Sequence, residues 1–214
     1  KVSFSNIENI YLQGGNDTVT IENGGRLSGL LDGGAGNNTL IVDDGTPITI
    51  GGDGKIVVGG GGSGGGYKNF NNIKGKNNGS QNNRLILNSN SNNVSITGPN
   101  SGTADGTAFT NISDIDLAAG NDNAILASTG SLSGTLKGGD GNDTFVLKKG
   151  AGSMVINDFE DNVDEINFAY CGSASKIKME QVGDDTLIYS DKDLLATVEN
   201  TKKKVLKKSA FGLV

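Results

Sequence analysis

Residues 4–42, FSNIENIYLQGGNDTVTIENGGRLSGLLDGGAGNNTLIV, and residues 109–147, FTNISDIDLAAGNDNAILASTGSLSGTLKGGDGNDTFVL, align without a gap at an offset of 105, with 18 of the 39 positions identical. Identity at that level over an ungapped stretch rules out chance. Repetition at a fixed period marks an architecture whose units bury their apolar faces only against their neighbours. A third, fainter copy is expected to begin at Phe70-Asn71-Asn72-Ile73, where the FxNI opening returns.

A shorter period runs inside each copy. Asp122, Asp143, Asp164 and Asp185 follow one another at steps of 21, and each opens a strand-like run: DNAIL, DTFVL, DEINF, DTLIY. The same step links Asp17 (DTVTI) to Asn38 (NTLIV). Apolar residues fall at alternate places in these runs, with β-branched and aromatic types enriched, as a half-buried strand requires. Gly, Asn and Asp precede each run and supply the turn. A second strand is expected in each period, over Leu132–Leu136, Met154–Phe159 and Ile177–Val182.

Strand, turn, strand, turn at a constant step predicts coils stacked on coils, with parallel strands about 4.8 Å apart. The fold class is therefore all-β: a right-handed parallel β-solenoid, β-roll-like, with coils of about 21 residues and a C-terminal cap. Stacking places the four aspartates in one column. Carboxylates at that spacing repel one another unless cations lie between them.

Composition narrows the function classes. Gly supplies 35 of 214 residues and Pro only 2, without the G-X-Y period of collagen. Aromatics are 5% and Trp is absent, which suits a thin aliphatic core. Acidic residues outnumber basic ones by 24 to 18, a net charge of -6 that argues against a nucleic-acid partner. The chain contains no His, which removes His-based acid–base catalysis, Ser-His-Asp triads and His ligation of metals. A single cysteine, Cys171, permits no intrachain disulfide, and it reads as a partly buried small residue without a redox role. No apolar run is long enough to span a membrane. The opening Lys1-Val2-Ser3 carries no signal-peptide pattern, and the expectation is a piece of a longer protein.

Gly138-Gly139-Asp140-Gly141-Asn142-Asp143-Thr144-Phe145-Val146 is a full match to the nonapeptide G-G-x-G-x-D-x-U-x. Gly33-Gly34-Ala35-Gly36-Asn37-Asn38-Thr39-Leu40-Ile41 matches except for Asn38 at the aspartate position, and Gly15-Asn16-Asp17 and Gly120-Asn121-Asp122 keep only its second half. Glycines permit a turn with inward carbonyls, the Asp adds charge, and the apolar U residue enters the core. Oxygen ligands of this kind suit a hard cation such as Ca²⁺.

On these residues the chain resembles the RTX (repeat-in-toxin) family of type I-secreted calcium-binding β-rolls, and more closely the repeat arrays of giant bacterial surface proteins and adhesins. The stretch from Gly138 through Asn157-Asp158-Phe159 to Ile166-Asn167-Phe168 is similar to the end of an RTX block, and the tail to Phe211 to the carboxy-terminal region such proteins carry for secretion. The resemblance covers residues 4–42 and about 109–214. In that family the nonapeptides run in tandem; here each stands alone on a longer coil. It implies Ca²⁺ at Asp143, Asp140, Gly138, Gly141, Asp122, Asp164 and Gly120. For the aspartates the alternative is a solvated turn. Asp17 reads as a capping or Asx-turn residue.

The expected organisation is a first solenoid repeat over 1–69, degenerate Asn/Gly-rich coils over 70–108, RTX-like calcium-binding coils over 109–168, and a C-terminal coil and cap with a secretion-signal-like tail over 169–214. Within the degenerate part, Leu85-Ile86-Leu87 and Val94-Ser95-Ile96 read as strands. The run GGGGSGGG at 59–66 lacks the Lys-Ser/Thr of a phosphate loop and reads as a linker. Lys202-Lys203-Lys204 and Lys207-Lys208 read as the outer face of a last helix or strand.

Two functions remain. One is a calcium-stabilised structural or adhesive module, the C-terminal part of a secreted bacterial surface protein, whose partners are calcium, a host or matrix ligand, or neighbouring repeats. The other is an accessory module of a secreted RTX enzyme acting on polysaccharide or protein. Arg26 and Arg84 are the only arginines, with no Tyr near either in the chain, so no catalytic residue is assigned.

Overall fold

The computed structural model describes residues 7–22, 25, 27, 29–43, 47–51, 56–58, 66–76, 83–150, 152–169, 171, 176–206 and 211–213. Phe4–Asn6 of the first repeat, Arg26, residues 59–65 of the glycine run and Lys207–Lys208 lie outside the described residues.

The chain folds into two facing sheets. In spatial order the first contains Ile10–Tyr11, Leu31–Asp32, Tyr67–Lys68, Ile56–Val58, Ile48–Ile50, Arg84–Ile86, Asp114–Asp116, Thr135–Lys137, Met154–Ile156, Asp193–Val198, Asp185–Ser190 and Ile177–Val182. The second contains Thr18–Ile21, Thr39–Val42, Asn72–Gly75, Thr107–Thr110, Ser101–Ala104, Asn93–Gly98, Asn123–Leu126, Thr144–Lys148, Glu165–Ala169 and Phe211–Leu213. The chain passes between the sheets coil by coil, and most neighbours run parallel. This is the all-β parallel solenoid that the repeat predicts.

Alternation along each strand sends one side chain inward and the next outward. Leu40 and Val42, Ala124 and Leu126, Phe145 and Leu147 are buried, while Ile41, Ile125 and Val146 between them are half-buried. The inward residues of both sheets form one aliphatic core, in which Phe145 meets Phe159 with ring centroids 6.5 Å apart. Each such side chain removed from water contributes about 1.5–3 kcal/mol.

The 105-residue repeat is reproduced in the strand register. Ile10 pairs with Leu31 as Ile115 pairs with Leu136, and Val19 pairs with Leu40 as Ala124 pairs with Phe145. The turn bridges Gly14–Ala35 and Ala119–Asp140 obey the same offset. Within each copy the step between coils is 21 residues, as expected.

Between the copies the step changes, because each sheet takes in an antiparallel three-stranded meander. Ile48–Ile50, Ile56–Val58 and Tyr67–Lys68 do this in the first sheet, and Asn93–Gly98, Ser101–Ala104 and Thr107–Thr110 in the second. Leu85-Ile86 and Val94-Ser95-Ile96 are strands, as read. The expected third copy is not one. Ile73 pairs with Leu40 on one side and Phe109 on the other, so Phe70–Ile73 does not take the place that Phe109–Ile112 takes.

The carboxy-terminal end also departs from the period. Gly183-Asp184 joins Ile177–Val182 to Asp185–Ser190 in a two-residue hairpin, with Gly183 at φ 62°. Asp193–Val198 returns beside Met154–Ile156. Asp185 therefore sits in the first sheet opposite Val182, outside the aspartate column, and Phe211–Leu213 is the strand that follows Glu165–Ala169 in the second sheet. Lys202, Lys203 and Lys204 are exposed on a turn rather than on a helix or strand. Lys202 forms an ion pair with Asp184 and donates to the carbonyl of Gly183. No helix among the described residues is long and apolar enough to cross a membrane.

Candidate metal centre

An Asx residue stands immediately before seven strands of the second sheet: Asp17, Asn38, Asn71, Asn92, Asp122, Asp143 and Asp164. They form a ladder in which a backbone N–H donates to the side-chain oxygen one coil further on. The N–H of Asp17 donates to Asn38 Oδ1 at 2.9 Å, and that of Asn38 to Asn71 Oδ1 at 3.1 Å. After the meander the ladder resumes from Asn92 to Asp122 Oδ1 at 2.6 Å, Asp122 to Asp143 Oδ1 at 2.9 Å, and Asp143 to Asp164 Oδ1 at 3.0 Å. Asp164 closes the series, its Oδ2 accepting the N–H of Glu160 at 2.8 Å. On the exposed rim a second ladder runs the other way: the N–H of Asn37 donates to Asn16 Oδ1 and that of Asn142 to Asn121 Oδ1.

The glycines of the nonapeptide let these turns lie against one another. Gly141 has φ 132°, and a Cβ there would stand 1.7 Å from the carbonyl oxygen of Gly120. Gly139 faces the Ala118 carbonyl in the same way. Gly120 has φ 130° and packs on Asn90. Gly138 is buried, with its N–H on Asp158 Oδ1 at 2.9 Å, and the N–H of Gly139 donates to Asp158 Oδ2 at 3.1 Å. Asp140 is exposed, its carbonyl accepting the N–H of Gly120 and its own N–H donating to Ala118. Asp122, Asp143 and Asp164 are thus brought into one buried column, while Asp140 is exposed.

What distinguishes the coils is amide against carboxylate at the ladder position. Asn38 uses its Nδ2 to donate to the carbonyls of Gly33 (2.9 Å), Gly34 (3.3 Å) and Asn69 (2.9 Å). Asn92 does likewise to Asn88, Asn90 and Leu117. At the repeat offset Asp143 replaces Asn38, and Gly138 and Gly139 replace Gly33 and Gly34. A Cβ on Gly138 would meet Asp143 Oδ2 at 2.4 Å, as one on Gly33 would meet Asn38 Nδ2 at 2.8 Å. An acceptor thus occupies the place of a donor. Oδ2 of Asp143, of Asp122 and of Asp17 is buried without a hydrogen-bond partner. A buried carboxylate oxygen in this position needs a proton or a cation.

The electrostatics agree. Burial pushes the carboxyls of Asp143 and Asp164 up to about 6, and raises those of Asp122 and Asp158. Around Asp143 the charges of Asp122, Asp158 and Glu160 add to the effect. No three carboxylates converge on one point among the described residues. A cation here would therefore draw on turn carbonyls together with one or two carboxylates, an all-oxygen set that fits Ca²⁺. Asp158, Asn71 and Asn92 were not among the expected site residues. The Asx-before-strand rule finds the two asparagines, whereas Asp158 lies in the block-end stretch quoted above without an expected role.

The outer face of the first sheet carries a shallow groove lined by Arg84, Asp114, Asp116, Thr135 and Lys137. Arg84 is ion-paired with Asp116, and Asp114 Oδ1 accepts the N–H and the hydroxyl of Thr135. Cys171 is buried near the carbonyls of Leu147 and Ala169.

Fold and ladder together define a parallel β-solenoid whose rungs are amides at Asn38, Asn71 and Asn92 and carboxylates at Asp17, Asp122, Asp143 and Asp164. No protein-family model and no curated protein matches the chain. Among solved structures it is similar to the extracellular lipase LipA from Serratia marcescens, at 14% identity and a TM-score of 0.32, over 96% of this chain and 38% of that one. The chain thus spans less than half the length of that lipase.

Proposed function

We propose that the chain is a calcium-stabilised structural repeat module of a secreted protein at the bacterial cell surface, with Asp122 and Asp143 as the carboxylates that hold the ion. The observation that carries this reading is the buried Oδ2 atoms of Asp122 and Asp143 on successive rungs, without donors, in a ladder where Asn38, the counterpart of Asp143, and Asn92 supply an amide. The carbonyls of Gly138 and Gly139 are the further oxygens within the same turn, Gly120 and Gly141 let the turns approach, and Asp164 supports the column from the next coil. Adhesion follows from length and surface, with a host or matrix ligand as partner. The reading includes no catalysis, since His is absent and Arg84 is held by Asp116.

Binding energy at such sites adds to folding energy. Melting followed by circular dichroism at pH 7.5 is expected to show a midpoint several degrees higher in millimolar calcium than in EGTA, with magnesium giving little of the gain. Superimposable melts in calcium and EGTA would contradict the assignment.

A further inference from the structure

The groove on the outer face of the first sheet is a feature that stacking does not require. Its floor is three neighbouring strands, Arg84–Ile86, Asp114–Asp116 and Thr135–Lys137, whose outward side chains fall in two columns. Arg84, Asp114 and Thr135 form one column, and Ile86, Asp116 and Lys137 the other. At the repeat offset of 105 the places of Asp114, Asp116, Thr135 and Lys137 are held by Asn9, Tyr11, Leu30 and Asp32. The residues between them match, Ile115 with Ile10 and Leu136 with Leu31, so the outward set has changed while the inward one has not.

Bonding within the groove shows what it can still hold. Asp114 Oδ1 accepts the N–H and the hydroxyl of Thr135 at 2.9 and 3.2 Å, and its Oδ2 the hydroxyl of Ser113 at 2.7 Å. Asp116 accepts the N–H of Ala118 through Oδ1 at 3.1 Å and pairs with Arg84 through Oδ2. Both carboxylates are thus occupied by internal donors. The cations keep donors in reserve. Arg84 engages Asp116 through one nitrogen of its guanidinium, and 42% of its side chain stays exposed. Lys137 is half-buried and forms no ion pair among the described residues. Two cations beside two carboxylates leave the groove near neutral, which suits one oxyanion at a time and disfavours a densely charged polymer such as nucleic acid.

The shape narrows the ligand further. A volume of about 290 Å³ is small for a ligand site and admits one sugar-sized group. Ile86 and Val155, outward and half-buried, flank the groove and offer aliphatic surface to the C–H face of a ring. A peptide finds less. Each of the three strands is paired on both sides, so no backbone edge is open for strand addition, and the one apolar lining residue, Ile115, is buried.

We propose that this groove binds an acidic glycan, one sugar at a time, with Lys137 and the outer N–H groups of Arg84 donating to the oxyanion of that sugar, a carboxylate or a sulfate. This names a ligand class for the surface module proposed above and rests on that reading but not on calcium.

The test is isothermal titration of the full chain, at pH 7.5 in millimolar calcium, with three hexasaccharides. Hexagalacturonate carries carboxylates, a carrageenan hexasaccharide carries sulfates, and maltohexaose is neutral. One or both acidic sugars are expected to bind and the neutral one not, and the sugar that binds identifies the oxyanion. Among variants whose circular dichroism matches the parent, Lys137→Gln is expected to weaken binding about fivefold or more, and Lys137→Arg to keep it. Lys203→Gln, at an exposed lysine on the carboxy-terminal turn, is expected to leave binding unchanged. Binding by neither acidic sugar, equal binding of maltohexaose, or equal losses in Lys137→Gln and Lys203→Gln would overturn the proposal. So would binding that disappears in EGTA while the spectrum is unchanged, since a cation bridging the sugar to Asp114 and Asp116 would then be the anchor. Superimposable melts in calcium and EGTA would count against the calcium reading alone and leave the groove in place.

Discussion

At the scale of the residue, one nitrogen-for-oxygen exchange separates the coils. Asn38 and Asp143 hold the same place in the two repeats, and each accepts a neighbouring N–H through Oδ1. They differ at the second terminal atom, a donor in Asn38 and an orphan acceptor in Asp143. The variant Asp143→Asn tests this. In EGTA at pH 7.5 it is expected to be more stable than the parent by about 1–2 kcal/mol, because an amide satisfies what a carboxylate does not. Its further gain from calcium should shrink. The pH profile supplies the sign. A carboxyl raised to about 6 in the folded state is protonated there while the unfolded chain is already ionised. Without calcium the parent therefore loses stability as pH rises from about 4 to about 6 and levels off above that. Asp143→Asn flattens part of this slope, with Asp164, also raised to about 6, and the raised carboxyls of Asp122 and Asp158 supplying the rest. A variant less stable than the parent in EGTA at pH 7.5 would show that Oδ2 is not an orphan.

At the scale of the element, the sequence declared what stacking requires and concealed what it does not. The 105-residue repeat and the 21-residue step appear in the pairing of Ile10 with Leu31 and of Phe145 with Ile166, because vertical neighbours must match in size and turn. Asp185 keeps the 21-residue step and breaks the pattern. Gly183-Asp184 between two alternating runs is a hairpin signal, and local turn chemistry prevailed over the period. The meanders of residues 48–68 and 93–110 were faint for a similar reason. Antiparallel pairing constrains alternation and turns but imposes no fixed step. The role of Asp158 was not legible because its partners, the N–H groups of Gly138 and Gly139, are backbone and leave no pattern. Metal chemistry and turn geometry ask for the same glycines, so the nonapeptide alone does not separate them. Gly141→Ala should destabilise the fold by about 2 kcal/mol or more with or without calcium, since φ 132° and the Gly120 carbonyl both exclude a Cβ. Denaturant melts measure it, and an alanine variant as stable as the parent in EGTA would remove the stacking role.

At the scale of the whole molecule, the first sheet has two unlike ends among the described residues. The antiparallel meander of residues 177–198 ends it with the exposed Lys178, Glu180 and Gln181, whereas at the other end Ile10 and Leu12 are half-exposed. Carboxylate rungs follow one another at Asp122, Asp143 and Asp164, whereas in the amino-terminal half Asp17 stands alone beside the amide rungs Asn38, Asn71 and Asn92. Calcium should therefore act on residues 109–168 and leave the Asn38 coil unchanged. The most direct measurement is a crystal grown in calcium, with diffraction collected at a wavelength where calcium scatters anomalously. Peaks beside Asp122 and Asp143, between the turns of residues 117–122 and 138–143, with none beside Asn38, are the result expected. A map without a peak at either aspartate, from crystals grown above pH 7 in millimolar calcium, would contradict the metal assignment.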